Sequence, residues 1–234
     1  MLNLPTGQNG AQPMRYEIKM TCPEVYHPDV LAWLRLHREG FFEAYPPRRI
    51  NNIYLDTLDY DCLSDNVQGA AERAKLRLRW YGEDVEHADG VLELKGKVAQ
   101  QGWKKTSHRV TLDLRQSTWS DLLAQLRTQT EGLFDVWVGA LARPVLINRY
   151  HRAYYESGDR VLRVTVDWDL MAYEQVLQAR PNLDMPSFDP HLIVIEVKAD
   201  GTVHRRISDL LTHFPLRPSR QSKYVTGTLS ALPW

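Results

Sequence analysis

The stretch AKLRLRWY, residues 74–81, places a cation at every second position. Its cations are Lys75, Arg77 and Arg79, and apolar residues stand between them. Successive side chains of a β-strand point to opposite faces, so the stretch predicts a strand with one charged face and one apolar face. Like charges stacked on one face are destabilising. The stretch therefore requires a source of negative charge close to these three cations.

The composition shows that the cations must be concentrated locally. The 234 residues contain 29 Lys and Arg against 29 Asp and Glu, which gives a formal net charge of zero. A protein that binds nucleic acid through its phosphate backbone needs a surplus of cations on its surface. We therefore expect no nucleic-acid partner, and any basic site is local. A hydrophobic fraction of 43% is ample for a packed core.

The cysteines and the N-terminus bear on the cellular compartment. Cys22 and Cys62 are the only cysteines and lack metal-site spacing, so we expect two buried free thiols in a reducing compartment. The first residues do not show a secretory signal, and no stretch approaches the ~18 apolar residues of a membrane span. The sequence thus predicts a cytoplasmic protein with no membrane span.

The distribution of strand and helix patterns predicts an α+β domain. Eight segments read as strands: residues 15–20, 48–57, 74–81, 91–98, 104–114, 144–157, 159–170 and 191–200. Helical patterns cover residues 27–41, 117–129, 204–214 and 219–232. Strands and helices do not alternate steadily, which favours an antiparallel sheet. We interpret residues 1–13 as a disordered lead-in and residues 14–234 as one domain.

The charged faces of the strands have two interpretations. The polar positions of five strands are Arg15, Glu17 and Lys19; Lys75, Arg77 and Arg79; Glu93, Lys95 and Lys97; Arg163, Thr165, Asp167 and Asp169; and Glu196, Lys198 and Asp200. In an ordinary antiparallel sheet these positions face water. In a barrel whose apolar faces turn outward onto helices, they line an interior where Arg and Lys converge on phosphate oxygens and carboxylates hold a divalent cation.

A resemblance to a known family favours the second interpretation. The ordered series RYEIKM, NNIYLDT, KLRLRWY, LELKGK, RVTVD, IEVK and SKYVTG resembles the VTC domain, the polyphosphate polymerase module of the vacuolar transporter chaperone complex, in the CYTH-like or triphosphate tunnel metalloenzyme superfamily. The match runs from about Arg15 to Gly227. It implies a closed eight-stranded antiparallel β-barrel with helices packed outside, an interior that binds ATP, triphosphate or polyphosphate, and Mn²⁺ or Mg²⁺ as cofactor.

The resemblance also assigns roles to individual residues. The cations that would contact phosphate in the reaction are Lys19, Arg77, Arg79, Lys95, Lys198 and Lys223. Further phosphate contacts would come from Arg149, Arg163 and Ser222. Glu196 would be the principal metal ligand, while Asp167 would be a second ligand, a ligand through water, or the partner that orients Arg163. The first strand has only Glu17 where related enzymes show E-x-E-x-K, so it does not support a two-carboxylate metal site there.

Three activities are consistent with this resemblance. The first is metal-dependent transfer of the γ-phosphoryl group of ATP to a polyphosphate chain. The second is hydrolysis of tripolyphosphate or a nucleoside triphosphate, and the third is polyphosphate binding without catalysis. Phosphoryl transfer needs alignment and charge neutralisation more than covalent chemistry, so a cation-lined cavity with a metal is sufficient in principle. The sequence gives no oligomeric state.

Overall fold

The computed structural model describes residues 15–98, 101–187, 191–200, 206–207, 209–210, 216 and 222–229. The predicted lead-in at residues 1–13 lies outside the described residues. The same is true of much of the helical pattern at 204–214, of which 206–207 and 209–210 are helical.

Eight strands form one antiparallel sheet. The strands are β1 (Arg15–Pro23), β2 (Phe42–Asp56), β3 (Glu72–Tyr81), β4 (His87–Val98), β5 (Gln101–Asp113), β6 (Arg143–Glu156), β7 (Arg163–Glu174) and β8 (Leu192–Asp200). Their order is β1-β8-β7-β6-β2-β3-β4-β5. The predicted eight-stranded antiparallel α+β fold is confirmed. The predicted closure is not, because within the described ranges no hydrogen-bonded ladder joins β1 to β5.

Five described helices connect or cover the strands. They are α1 (His27–Leu36), α2 (Asp61–Gln68), α3 (Trp119–Thr128), α4 (Leu133–Ala140) and α5 (Lys223–Leu229). Thr118 caps α3 through a reciprocal capping box with Asp121. The sequence patterns did not predict α4. In the part of the chain described here, none of the helices has both the length and the apolar character needed to span a membrane.

The sheet is strongly curved, with its charged side concave. Strands β1 and β3 are five positions apart in the sheet, which in a flat sheet is about 24 Å. Yet the charges of Lys19 and Glu17 on β1 act on the pKa of Lys75 on β3. Lys198 on β8 acts in the same way on Lys95 of β4, again five positions away. The two halves of the sheet therefore face each other across a shared interior.

The opposite, convex side holds most of the apolar core. Leu76, Leu78 and Trp80 of β3 are at most 1% exposed and cluster with residues of α3 and α4 such as Leu122 and Trp137. A second cluster packs α1 against the outer faces of β1, β7 and β8. Since the helices cover the apolar faces, the charged faces are left for the interior.

A buried carboxylate ties α2 and α5 to the end of the sheet. Asp56, which is 0% exposed, accepts hydrogen bonds from the backbone N–H groups of Cys62 and Leu63 in α2 at 2.9 and 3.0 Å. It also accepts one from the Tyr224 hydroxyl of α5 at 2.5 Å. Helix α5 lies very close to β6, because a Cβ atom at Gly227 would meet Leu146 at 2.9 Å. This end of the interior is therefore filled by α5.

We expect Asp56→Ala to lower the free energy of unfolding by about 2 kcal/mol or more, because three buried donors lose a charged acceptor. Urea denaturation with the matched variant Asp59→Ala, at an exposed position nearby, provides the measurement and its control. Equal midpoints for the two variants would contradict the anchoring role of Asp56.

Candidate functional site

The carboxylate of Glu93 lies at the centre of the cations on β3, β4 and β5. Arg77 donates to it twice, from Nε at 2.9 Å and from a terminal nitrogen at 2.5 Å, and Lys104 donates at 2.6 Å. Arg79 and Lys95 are 3.7 and 3.9 Å away. Burial alone would raise the pKa of Glu93, but Arg77 and Arg79 outweigh burial and hold the pKa well below its usual range. One ionised carboxylate thus lies within 4 Å of four cations and offsets part of their charge.

A polar chain fixes the orientation of Arg79. Its Nε donates to Asn52 Oδ1 at 3.0 Å, and Asn52 Nδ2 donates to Asn148 Oδ1 at 2.9 Å. Because Arg79 can only donate, the direction of both amides is set. The amide nitrogen Asn148 Nδ2 is then left as a buried donor without a partner among the described residues. Buried donors normally have an acceptor, so this one fits a site for an anion or a bound water.

Arg77 is also held by a tyrosine with an unusual pKa. Its guanidinium donates to the Tyr54 hydroxyl at 3.1 Å. Burial alone would raise the pKa of Tyr54, but the charges of Arg77, Lys75 and Arg79 outweigh it and lower the pKa to about 8. The hydroxyl therefore experiences a strongly positive environment.

Asp167 binds two cations from different elements. Arg152 of β6 donates to both of its oxygens, at 2.5 and 2.7 Å, and Lys223 of α5 donates at 2.5 Å. Asp167 is 0% exposed. Burial would raise its pKa, but Arg152 and Lys223 lower it. This carboxylate therefore fixes Arg152 and Lys223 together, and Arg163 is not among its partners in the described chain.

Glu196 and Glu17 hold the cations of β1 and β8. Lys198 lies 2.6 Å from Glu196 and 3.8 Å from Glu17, and Lys19 lies 3.0 Å from Glu17. Arg152 is 3.9 Å from Glu196. Burial would raise the pKa of Glu196, but Lys198, Lys19 and Arg152 lower it well below its usual range. Glu17 thus orients Lys19.

Cations outnumber carboxylates in the cluster on the concave face. Nine described cations belong to this cluster: Lys19, Lys75, Arg77, Arg79, Lys95, Lys104, Arg152, Lys198 and Lys223. Four carboxylates face them: Glu17, Glu93, Asp167 and Glu196. The uncompensated charge is visible in Lys95, whose pKa is lowered to about 6 by burial and by Arg77. Burial and Arg77 also lower the pKa of Lys75.

The carboxylates fit a metal only together with a phosphate ligand. Among the residues that the structure describes, no three His, Cys, Asp or Glu side chains lie close enough to hold a metal ion. Both oxygens of Asp167 are taken by Arg152 and Lys223, whereas Glu196 has one close partner, Lys198. Mg²⁺ in phosphate-binding enzymes often has one or two carboxylate ligands and completes its shell with substrate phosphates and waters. Glu196 is the candidate for that one ligand.

Some predicted site residues lie away from this cluster. Arg149 is on the convex side, where it donates to Asn51 Oδ1 at 2.8 Å and to the Glu83 carbonyl at 2.7 Å. Arg163 is exposed and pairs in register with Lys198 at the end of β7. Ser222 precedes α5, and its hydroxyl accepts a weak 3.4 Å hydrogen bond from the Val225 N–H.

The assignment of Asp169 to the charged face is wrong. A register shift between Arg149 and His151 puts an irregularity into the β6–β7 pairing, and Asp169 has a left-handed φ of 51°. Its carboxylate turns to the convex side and accepts a 2.6 Å hydrogen bond from Arg49. Strict alternation cannot anticipate such a bulge.

Several cluster members were absent from the predicted site. Arg152 is the most important, because it takes the position on β6 for which Arg149 was proposed. Arg152 shares one face of β6 with Asn148 and Tyr150, because side chains two residues apart point the same way. The sequence of a single strand does not show which of its two faces is interior. Lys104 is a second, and its pairing in register with Lys95 puts it on the concave face. Tyr54 is a third, since its hydroxyl contacts Arg77.

Two known proteins show the relationships of the chain. It is 24% identical over 158 residues to vacuolar transporter chaperone complex subunit 2 of Schizosaccharomyces pombe, an alignment that covers 59% of the chain and 21% of that protein. The match thus spans about a fifth of the relative's length. In structure, the chain is similar to a Vibrio parahaemolyticus protein proposed to be an adenylate cyclase, with a TM-score of 0.53, 13% identity, and coverage of 92% and 98% of the two chains. That similarity supports the fold.

The family model named VTC domain matches residues 14–232, nearly the whole chain. The chain belongs to the VTC domain family.

Proposed function

We propose that this protein is a metal-dependent polyphosphate polymerase, which transfers the γ-phosphoryl group of ATP to a polyphosphate chain inside its concave face. The observation that carries the proposal is the excess of nine clustered cations over four carboxylates. Such an excess is costly unless an anion neutralises it. A chain of phosphates supplies several negative charges along a line, which matches cations distributed over six strands and α5.

The chemistry follows from charge. A terminal oxygen of polyphosphate attacks the γ-phosphorus of ATP, the bond to the β-phosphate oxygen breaks, and ADP leaves with that electron pair. The attacking oxygen is already ionised at neutral pH, so no general base is required. The protein aligns the two phosphates and neutralises the transferring group, as in other phosphoryl transfers. Arg77, Arg79, Lys95 and Arg152 are placed for this role by Glu93 and Asp167.

Mn²⁺ or Mg²⁺ is the proposed cofactor, with Glu196 as its protein ligand. When bound, the ion would supply positive charge that neutralises the phosphate groups. Lys19 and Lys198, which flank Glu196, would bind phosphate oxygens. Lys223, brought in by α5, contacts the phosphate chain from the filled end of the interior. Arg163 and Ser222 are proposed contacts at the margins, and Arg149 is not carried forward because it lies on the convex side.

The polymerase assignment predicts that purified protein with ATP and Mn²⁺ forms acid-stable polymer. Glu196→Gln should lower the rate by about 100-fold, since loss of a metal ligand or its charge typically costs 10- to 1000-fold. The measurement is polymer formed per unit time. Glu131→Gln, at an 86% exposed side chain, is the matched control and should leave the rate unchanged.

The same assay separates the three candidate activities. Orthophosphate released without polymer would assign hydrolysis, and tripolyphosphate binding without turnover in any metal would assign a binding module. Undiminished polymer formation by Glu196→Gln would contradict the role of Glu196.

Phosphate binding should be coupled to the uptake of a proton at Lys95. The pKa of Lys95 is about 6 in the free protein, and a phosphate beside it stabilises the charged form. Above pH 6, binding therefore takes up a proton at Lys95, and affinity falls as the pH rises above this value. Calorimetric titration of tripolyphosphate at pH 7.5, in buffers that differ in ionisation enthalpy, measures the uptake.

The variant Lys95→Met removes this proton while it keeps the length of the side chain. We expect the uptake by the variant to be lower than that of wild type by nearly one proton per site. Proton uptake that is the same in both proteins would show that Lys95 is already charged before ligand binds.

A further inference from the structure

Three tyrosines and an arginine form a cluster at the end of the interior opposite α5. The guanidinium of Arg48 lies 4.8 Å from the ring centre of Tyr81 and 5.1 Å from that of Tyr154. Tyr45 meets Tyr154 edge-on, with ring centres 6.0 Å apart. We call Tyr45, Arg48, Tyr81 and Tyr154 the tyrosine rim.

The rim continues directly from the cations of the concave face. Tyr81 follows Arg79 by two residues on β3, and Tyr154 follows Arg152 by two residues on β6, so each ring shares a face with its cation. Two residues of a strand advance about 7 Å. Arg48 is also paired in register with Arg152. A molecule with phosphates at Arg79 and Arg152 would extend its next group onto these rings.

The residues of the tyrosine rim are more exposed than a cluster that only packs the core would be. Tyr45 and Tyr81 are 57% and 49% exposed, although they are large aromatic residues. Arg48 is exposed as well, and within the described ranges it has no carboxylate partner. The guanidinium of Arg48 lies over both rings, so Tyr81 and Tyr154 present their faces to a planar group.

Among the described residues, the two ends of the interior differ in the room they leave for a bulky group. At the end opposite the tyrosine rim, Tyr224 of α5 stacks on Tyr54 at 4.9 Å, and Gly227 packs against Leu146. Within the part of the chain that the structure describes, a nucleoside triphosphate with its phosphates among the cations finds room for its nucleoside at the tyrosine rim.

We propose that the tyrosine rim is a nucleobase-stacking subsite, at which the base of the donor nucleotide stacks on Tyr81 and Tyr154 while its triphosphate lies among the cations. This inference rests on the proposed function, because it assigns the position of the same ATP. Stacking on aromatic rings depends little on the identity of the base, since every base has a π-face. The rim therefore distinguishes nucleotides from inorganic phosphates, and distinguishes poorly between ATP and GTP.

The experiment compares two ligands that share a triphosphate and differ in the base. Dissociation constants for ATP and for tripolyphosphate are measured by calorimetry on wild type and on Tyr81→Ala/Tyr154→Ala. We expect the variant to lose at least about fivefold in affinity for ATP. Its affinity for tripolyphosphate should stay within about twofold of wild type.

Two control variants test the stacking itself. Tyr81→Phe/Tyr154→Phe keeps both rings and should bind ATP as wild type does. Tyr26→Ala removes a 52% exposed tyrosine beside α1 and should change neither affinity. If the double alanine variant does not fold, Tyr81→Ala alone makes the same comparison at a half-exposed position.

The outcomes separate this inference from the proposed function. If wild type binds tripolyphosphate and the alanine variant changes both ligands alike, or changes neither, the rim does not bind the base and the inference is wrong, while the proposed function stands. If wild type binds neither ligand, the proposed function fails and the subsite fails with it.

Discussion

The contact between Arg77 and the buried carboxylate of Glu93 is the interaction on which the concave face depends. Both side chains are less than 10% exposed, and neither could remain charged there alone. Glu93 also holds Lys104 and lies within 4 Å of Arg79 and Lys95, so one acidic residue permits four cations to face inward. With the charges on this side, the leucines and tryptophans of the same strands are free to pack under α3 and α4.

The carboxylates orient the cations without neutralising all of them. Asp167 and Glu196 repeat the arrangement of Glu93 on the other half of the sheet, where they hold Arg152, Lys223 and Lys198. Burial together with the remaining positive charge lowers the pKa of Lys95, and that charge lowers the pKa of Tyr54 against the effect of burial. A site of this kind is organised before its ligand arrives, so little reorganisation is needed when phosphate binds. The ligand then contributes to the stability of the folded protein in proportion to its occupancy.

The sequence predicted the parts of this arrangement that follow a local period. Alternation in AKLRLRWY and VLELKGKV correctly placed Arg77, Glu93 and Lys95 on one face, and the apolar partners on the other. Features that depend on how the strands pair could not be predicted from the sequence. The bulge at Asp169 breaks the period, the choice of Arg152 over Arg149 depends on which side of β6 is interior, and the amide chain from Arg79 joins three strands. Helix α4 was not predicted because its segment is short and nearly all of its residues are apolar.

The central claim is that the lysines on the concave face bind phosphate, while those on the convex face do not. Lysine acetylation followed by mass spectrometry, with and without tripolyphosphate, tests it directly. Lys104 and Lys105 are adjacent in sequence and on opposite faces of β5, so they form an internal comparison. We predict that tripolyphosphate protects Lys95 and Lys104 and leaves Lys105 unchanged. If tripolyphosphate changes the acetylation of Lys104 no more than that of Lys105, the account is contradicted.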